Sequence, residues 1–319
     1  MNVFLRTSIL LALVAVATGG AARADAAPGR YAVGVTSITF TKDSVTTGEP
    51  RPLVTTIWYP AAAGTGTPEA LGLRDADVYA KRFPLIVFSH GNCGRPAEAS
   101  YLTMGLASRG FVVAAPAHLG NTADRPDCGA NFVDSFQNRV PDVIFLVDSM
   151  LAETASPSSR FADRLQPDAI GIAGLSFGGY TTLVAAQRDP RLRAAFSMVP
   201  GGVAAIDAND IAIPTMVLGA ERDRVVGFPD SELAYGRIAG PRFLVELLAA
   251  DHLSVTDDCF PLCSPEYIPQ DKAHRIVLHF ALPFFRYYLA QGQAQGAGLI
   301  RPVPRAKLTA EPRRTAGGG

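Results

Sequence analysis

The chain has 319 residues, 48% of them hydrophobic, so it can bury a sizeable core in one large domain or two small ones. Its 29 basic residues balance 29 acidic residues, and the sequence pI is about 7.0. This balance gives no sign of the basic surface that binds nucleic acid or anionic membranes. We therefore expect no nucleic-acid partner, and the sequence does not indicate an oligomeric state.

The first 24 residues have the pattern of a secretory signal peptide. Arg6 and the amino terminus supply a positive region, Ile9 to Ala17 form an apolar run, and the small residues Ala22 and Ala24 suit a signal peptidase. The apolar run is shorter than the roughly 20 residues of a membrane span, and an uncleaved anchor is the alternative. We predict cleavage, export to the periplasm or the medium, and no stable membrane insertion afterwards.

Two β-strands follow the signal, and strands then alternate with helices along the chain. The segments YAVGVTSITF and LVTTIWYP alternate in polarity and are rich in β-branched residues, as strands are. A Gly-, Ala- and Pro-rich loop is predicted at 61–77, and a long polar loop, the natural gate to a site, at 117–134. Further strands are predicted for PLIVFSH, FVVAAP, DAIGIAGL, LRAAFSMVP, IPTMVLGA and PRFLVELLAA. Helices are predicted at 97–110, 140–153, 177–189, 231–239 and 272–291.

This order of elements favours an α/β fold with a mostly parallel central sheet, helices on both faces and an antiparallel N-terminal start. We expect one domain over residues 25–295, since the sequence shows no repeat and no second domain. Residues 296–319 are rich in Pro, Arg and Gly, and this composition predicts a disordered tail.

The four cysteines of the exported part are Cys93, Cys128, Cys259 and Cys263. An even number in an oxidising compartment favours two disulfides. Because Cys259 and Cys263 are close enough for a small local loop, Cys93 is left to pair with Cys128, one of three possible connectivities. A metal site or a reactive thiol is the alternative. No Cys-x-x-C pair and no paired His ligands accompany these cysteines, so we expect no metal.

The segment DAIGIAGLSFGGYTTLVAA places Ser176 between a predicted strand and a predicted helix. Gly174-Leu175-Ser176-Phe177-Gly178 fits the G-x-S-x-G pattern of a nucleophile elbow, in which a sharp turn lifts the serine hydroxyl clear of the backbone. Glycines two residues before and after the serine let strand and helix approach without a clash. A Gly-rich turn with an ordinary serine is the alternative, and the flanking strand and helix favour the elbow.

A serine needs a base to take its proton and an acid to orient that base. Among the histidines of the chain, His252 alone lies in the loop directly after the last predicted strand and keeps the order serine, acid, histidine. Asp223 lies in a polar loop directly after a strand and is the predicted acid, with Glu221 as the fallback. Asp251 adjoins His252, but neighbouring side chains point different ways in an extended segment. Of the other histidines, His274 and His279 lie in the last predicted helix and are expected to be ordinary helix residues, and His90 and His118 precede the serine in the chain.

Two backbone amides are predicted to form an oxyanion hole. One is that of Phe177, directly after the nucleophile, and the other comes from the loop after PLIVFSH. Gly91 permits a tight turn in that loop, so the amide of Asn92 is the natural second donor. His90 is expected to shape the loop through the hydrogen bonds of its ring.

The blocks FSHGNCG, GFVVAAPAHLGNT, IGIAGLSFGGYTTL, IPTMVLGAERD and DHLSV together resemble the dienelactone hydrolase and platelet-activating-factor acetylhydrolase-like branch of the α/β-hydrolases. They are also similar to the secreted cutinase-like polyester hydrolases, and the likeness covers roughly residues 80–260. The resemblance implies the α/β-hydrolase fold and hydrolysis through an acyl-enzyme, with no cofactor. It implies these roles: nucleophile Ser176, acid Asp223, base His252, and oxyanion amides of Asn92 and Phe177.

The sequence thus predicts an exported serine esterase whose partner is a small-molecule ester, one with a small or short acyl group. Dienelactone hydrolases resemble this chain but use a cysteine nucleophile, so a serine favours ordinary carboxylic esters. A phospholipid-type acetylhydrolase, a polyester hydrolase and a non-catalytic binding member of the fold are the alternatives, and a peptidase or acyltransferase would use the same triad. Candidates for an apolar acyl pocket, or for plain core packing, are Phe177, Leu119, Phe132, Phe136 and Phe228.

Overall fold

The fold is built on one mixed β-sheet, and the computed structural model describes residues 31–130, 132–206, 210–258, 264–290 and 303–311. The strands are β1 (Ala32–Asp43), β2 (Pro50–Ala61), β3 (Thr67–Glu69), β4 (Gly72–Arg74), β5 (Phe83–Ser89), β6 (Val112–Pro116), β7 (Leu165–Leu175), β8 (Leu192–Met198), β9 (Thr215–Ala220), β10 (Arg242–Leu247) and β11 (Ala306–Glu311). The helices are α1 (Ser100–Ala107), α2 (Phe132–Ala155), α3 (Phe177–Arg188), α4 (Phe228–Gly236) and α5 (Gln270–Leu289). Short 3-10 turns cover Val203–Ala205 and His252–Val255.

The order of strands across the sheet is β11-β10-β9-β8-β7-β5-β6-β2-β1-β4-β3. Strands β5 to β10 run parallel to one another, whereas β2 pairs antiparallel with both β1 and β6, and β11 pairs antiparallel with β10. The expected parallel sheet with an antiparallel N-terminal start is therefore confirmed. Because the central strands are parallel, their carboxyl ends meet along one edge, and polar loops that follow them come together there.

Both faces of the sheet are covered by helices, as expected for strands whose residues are apolar on both sides. Strands β5 and β6 are buried at every position. Helices α1 and α5 contribute to the core on one face, with Leu102 and Phe280 fully buried. Helices α2, α3 and α4 contribute to the core on the other face, where Leu146 and Leu183 are fully buried. No described helix is both long enough and apolar enough to cross a bilayer.

Helix α2 corrects the expectation of a polar loop through residue 134. It begins at Phe132, eight residues before the predicted start at residue 140, and Pro141 lies inside it. The first turns were missed because their inward face carries polar side chains, among them Ser135, Asn138 and Arg139, all fully buried. Such a face hides the apolar periodicity by which an amphipathic helix is recognised.

Two further segments expected to lack regular structure form strands. The predicted loop at 61–77 contains the short strands β3 and β4. The expectation of a disordered tail is wrong for residues 306–311, since β11 pairs antiparallel with β10 across six residue pairs, from Arg242 with Glu311 to Leu247 with Ala306. Its charged residues misled the composition argument, because an edge strand exposes one face and one side of its backbone to solvent.

The predicted disulfide between Cys93 and Cys128 is present. It ties the loop after β5 to the polar loop that precedes α2. Cys259 and Cys263 lie outside the described residues, as do the predicted signal peptide and residues 296–302 and 312–319 of the predicted tail.

Candidate active site

Ser176 lies in the sharp turn between β7 and α3, with φ 55° and ψ −118°. A positive φ is strained for a residue with a side chain, and such strain collects at functional sites. The turn depends on its glycines. A Cβ on Gly178 would lie 1.9 Å from the carbonyl oxygen of Ser89, and a Cβ on Gly174 would lie 2.3 Å from that of Gly178. The local geometry is that of a nucleophile elbow.

Asp223 and His252 are joined by a hydrogen bond, with the Nδ1 of the imidazole 2.7 Å from Oδ2 of the carboxylate. Asp223 follows β9, and His252 opens the 3-10 turn after the neighbouring strand β10. An ionised carboxylate accepts this bond, so Nδ1 carries the proton and Nε2 is left as the basic nitrogen. Both side chains are almost fully withdrawn from solvent.

The environment of Asp223 keeps the side chain ionised. Burial acts to raise the pKa of Asp223, but the hydrogen bond and charge of His252 outweigh it and lower this pKa. The backbone N–H groups of Val225 and Val226 also donate to Oδ1. Both carboxylate oxygens are therefore held in fixed directions, one by the loop backbone and one by the imidazole.

The two other acidic residues near His252 have different roles. Glu221 accepts a hydrogen bond from the backbone N–H of Ala249 at 2.7 Å. Asp251 caps the 3-10 turn, where it accepts from the backbone N–H and the hydroxyl of Ser254. Among Asp223, Glu221 and Asp251, Asp223 is the one hydrogen-bonded to the imidazole.

Ser176 lies on the same edge of the sheet as this pair. It follows β7, and β7, β8, β9 and β10 are consecutive parallel neighbours. Their carboxyl ends therefore point the same way, although Ser176 lies far from the other two residues in sequence. The turn of Ser176 also contacts the loop after β8, since its N–H donates to the carbonyl of Met198.

The loop after β5 lies directly beside Ser176, because Ser89 pairs with Gly174 at the ends of β5 and β7. Asn92 lies in this loop, and Phe177 is the first residue of α3. Neither backbone N–H donates a hydrogen bond to another described residue. Free N–H groups at a helix start and an adjacent loop can bind a developing negative charge.

Beneath that loop is a buried polar cluster that the sequence analysis missed. Arg139 of α2 is fully buried and donates to the carbonyl oxygens of His90 at 2.6 Å and Gly91 at 2.8 Å. It also donates to Oδ1 of Asn121 at 2.6 Å. In the same cluster, Nε of Arg51 donates to Oδ1 of Asp142 at 2.9 Å. The only local signal was a charged pair three residues apart in NRVPD, flanking apolar helix positions.

Two histidines in this cluster are neutral. The His90 ring donates from Nδ1 to the carbonyl of Gly91 at 2.8 Å, and its Nε2 accepts from the backbone N–H of His118. Burial, followed by the charge of Arg139, lowers the pKa of His90 well below its usual range. Burial and Arg139 also lower the pKa of His118 to about 4. The expected loop-shaping role of His90 agrees with these contacts.

An aromatic cluster lies next to Ser176. The ring of Phe177 stacks on that of Phe132 at 5.0 Å between centroids, and Phe136 stacks on Tyr180 at the same separation. Phe132 is 48% exposed and the neighbouring Val133 is 70% exposed, so the cluster is open to solvent on one side. Three of the predicted pocket residues, Phe132, Phe136 and Phe177, are thus brought together.

The turn that carries His252 is anchored to α1 and α5. The carbonyl of Thr256 accepts from Nε2 of His274 at 2.9 Å, and Tyr101 donates to the carbonyl of Val255 at 3.0 Å. The rings of His274 and Tyr101 stack at 3.6 Å. His274, expected to be an ordinary helix residue, therefore supports the loop that holds the imidazole.

The elbow, the Asp–His pair and the parallel sheet define an α/β-hydrolase. The sequence profile of the PETase family, described as PET hydrolase-like, matches residues 75–258, and the chain belongs to this family. Cutinase est2 of Thermobifida alba is 30% identical over 172 residues, which is 53% of this chain and 52% of the cutinase. A bis(hydroxyethyl) terephthalate hydrolase of Streptomyces coelicolor is 27% identical over 172 residues, 53% of this chain and 44% of that enzyme. The chain thus spans about half the length of the curated relatives it matches.

The fold is also similar to that of a solved structure, a ferulic acid esterase from Streptomyces cinnamoneus. The TM-score is 0.72 at 21% sequence identity, and the match covers 89% of this chain and 98% of the esterase. At this identity the comparison supports the fold, and the expected α/β-hydrolase fold is confirmed.

Proposed function

We propose that the protein is an exported serine hydrolase that cleaves carboxylic esters through an acyl-enzyme on Ser176. The observation that carries the proposal is the Asp223–His252 hydrogen bond, formed on the sheet edge where the elbow presents Ser176. Membership of the PETase family and the cutinase relatives support the same reaction class.

In this mechanism the Oγ of Ser176 attacks the ester carbonyl carbon and gives its proton to Nε2 of His252. Asp223 stabilises the resulting imidazolium through Nδ1. The amide N–H groups of Asn92 and Phe177 bind the oxyanion of the tetrahedral intermediate. Its collapse breaks the bond to the alcohol, which leaves with the proton held by His252.

The second half of the reaction repeats these steps with water. His252 takes a proton from a water molecule, whose oxygen attacks the acyl-enzyme carbonyl. Collapse of the second tetrahedral intermediate returns that proton to Oγ, which regenerates Ser176 and releases the carboxylic acid. The net reaction consumes one water per ester and needs no cofactor.

The substrate class follows from the open aromatic cluster beside Ser176. Rings that are stacked and partly exposed offer an apolar surface to a small acyl group. A polyester is the second candidate, favoured by the family profile and by a relative named for bis(hydroxyethyl) terephthalate. Export is supported by the N-terminal sequence pattern and by the Cys93–Cys128 disulfide, a bond of oxidising compartments.

The nucleophile is tested with Ser176→Ala and p-nitrophenyl acetate. We expect turnover to fall to the background rate while the urea unfolding midpoint stays at the wild-type value. Ser197→Ala is the matched control, because Ser197 lies in strand β8, outside the elbow, and its hydroxyl donates to the carbonyl of Gly179. Retained turnover in Ser176→Ala contradicts the proposal.

A panel of p-nitrophenyl esters from acetyl to dodecanoyl, with bis(hydroxyethyl) terephthalate and a polyester film, separates the substrate classes. The highest kcat/KM is expected for acetyl and butyryl esters. Product release from the film at a rate that exceeds the small-ester rate would favour the polyester candidate instead.

A further inference from the structure

Arg139 contacts the backbone of one segment that carries a proposed oxyanion donor and the Phe177 side chain of the other. Its guanidinium donates to the carbonyl oxygens of His90 and Gly91 in the loop after β5. Its Cζ also lies 4.4 Å from the ring centroid of Phe177, over the face of the ring. One side chain therefore bridges the loop and the first residue of α3.

The bond to Gly91 bears directly on Asn92. The carbonyl of Gly91 and the N–H of Asn92 belong to one planar trans peptide, so they point in opposite directions. With the carbonyl bound to the buried guanidinium, the N–H is aimed away from Arg139. A cation on the carbonyl oxygen also polarises the peptide and makes its N–H a stronger donor.

A carboxylate holds the same turn from its other side. Glu98 is half-buried and accepts the backbone N–H of Gly91 at 2.7 Å, and desolvation raises the pKa of its carboxyl group. When Glu98 is ionised, its negative charge beside this turn repels an oxyanion bound by the neighbouring amide of Asn92. The charge of Arg139 compensates it, and Arg139 remains a cation at neutral pH although burial lowers its pKa to about 9.

The chemistry of these contacts calls for arginine. The guanidinium presents a planar fork that binds the two consecutive carbonyls and Asn121 while its face stacks on an aromatic ring. A lysine ammonium keeps the charge but cannot bridge the same acceptors while it stacks. A buried charge without an ion-pair hydrogen bond is costly, which indicates that the position has a role beyond stability.

We infer that Arg139 is a positioning residue of the oxyanion hole, which orients and polarises the amide of Asn92 and packs against the side chain of Phe177. It acts through these groups and does not touch the substrate. The inference rests on the proposed function and adds to it a residue of α2 that lies remote in sequence from the triad.

Arg139→Met and Arg139→Lys test this inference with p-nitrophenyl acetate and with a trifluoromethyl ketone, whose serine adduct carries an oxyanion. We expect Arg139→Met to lower kcat by about 10- to 100-fold, below the loss of a whole oxyanion donor. KM should stay within about twofold, because ground-state binding is unchanged. The ketone affinity should fall by the same factor as kcat/KM, and Arg139→Lys should fall between Met and wild type.

The matched control is Arg51→Lys, a buried arginine whose hydrogen bonds go to Asp142 and Asp134. It should lower the urea midpoint while leaving kcat and the ketone affinity within about twofold of wild type. An equal loss of kcat in Arg51→Lys would reduce the effect of Arg139 to general destabilisation and overturn the inference.

Should Arg139→Met not fold, Arg139→Lys decides the question, since wild-type kcat and ketone affinity in that variant overturn the inference. Failure of the proposed function is distinguishable, because then Ser176→Ala keeps the turnover of the wild type. If Ser176→Ala is inactive and the Arg139 variants match wild type, the esterase stands and the role of Arg139 falls.

Discussion

The carboxylate of Asp223 accepts a hydrogen bond from Nδ1 of His252, and we expect the loss of this bond to lower kcat. Asp223→Asn replaces an acceptor with an amide that can donate to Nδ1 of His252, which favours the tautomer in which Nε2 is protonated. Ser176 then has no base. We expect kcat for p-nitrophenyl acetate to fall by about 10³- to 10⁴-fold near pH 8. Glu221→Gln, which alters the carboxylate bonded to Ala249, should retain kcat within about threefold, and equal losses in both variants would remove Asp223 from its role.

Residues of the site differ in how visible they are to sequence analysis. Ser176 and His252 are marked by local signals, an elbow motif and a position after a strand, and the serine–acid–histidine order excludes most rivals. Arg139 carries no such signal, because its backbone partners are 48 and 49 residues away and nothing in its own helix points to them. Contacts of this kind become visible only when the fold brings β5 and α2 together.

At the scale of elements, the strands of the parallel sheet were predictable and the edges were not. Strands β5 to β10 consist of apolar runs, and each lies within a few residues of its predicted position. The start of α2 was hidden because its buried face is polar. Strand β11 was hidden because it lies at the edge of the sheet, where it pairs with β10 on one side and is exposed on the other. Hydrophobic patterning reports burial, so elements that bury polar groups or remain half exposed escape it.

The loop closed by Cys93 and Cys128 spans 35 residues of sequence and contains α1 and β6. A crosslink of that length restricts the unfolded chain, and its loss costs about 3 to 4 kcal/mol in the loop-entropy account. The variant Cys93→Ser with Cys128→Ser should lower the free energy of unfolding in urea by this order. Because Cys93 adjoins Asn92, kcat should fall as well. An unchanged unfolding midpoint would show that the disulfide does not stabilise the native state.

For the whole molecule, the buried neutral histidines make stability depend on pH. The folded pKa of His118 is about 4, lowered by burial and by Arg139, whereas the unfolded chain binds this proton near pH 6.5. Between these values the unfolded state holds more protons, so the free energy of unfolding falls as pH drops from 6.5 towards 4. The full shift corresponds to about 3 kcal/mol.

Urea unfolding of the wild type and of His118→Gln at pH 7, 5.5 and 4.5 measures this dependence. The slope with pH should be smaller in the variant, and the remainder comes in part from His90, whose pKa is also lowered. Asp142 and Asp223 have lowered pKa values and act below this window. Identical slopes in the two proteins would remove His118 as a source of acid sensitivity.

Strand β11 has a consequence for how copies of this protein behave towards one another in concentrated solution. Without it, β10 would expose a row of unpaired peptide groups along the apolar sequence RFLVEL, a template on which another chain can assemble. Strand β11 covers that template. Its charged residues Lys307 and Glu311 pair with Glu246 and Arg242 of β10, respectively. A molecule clipped before Ala306 would therefore be a seed for aggregates, even while the proposed triad remained intact.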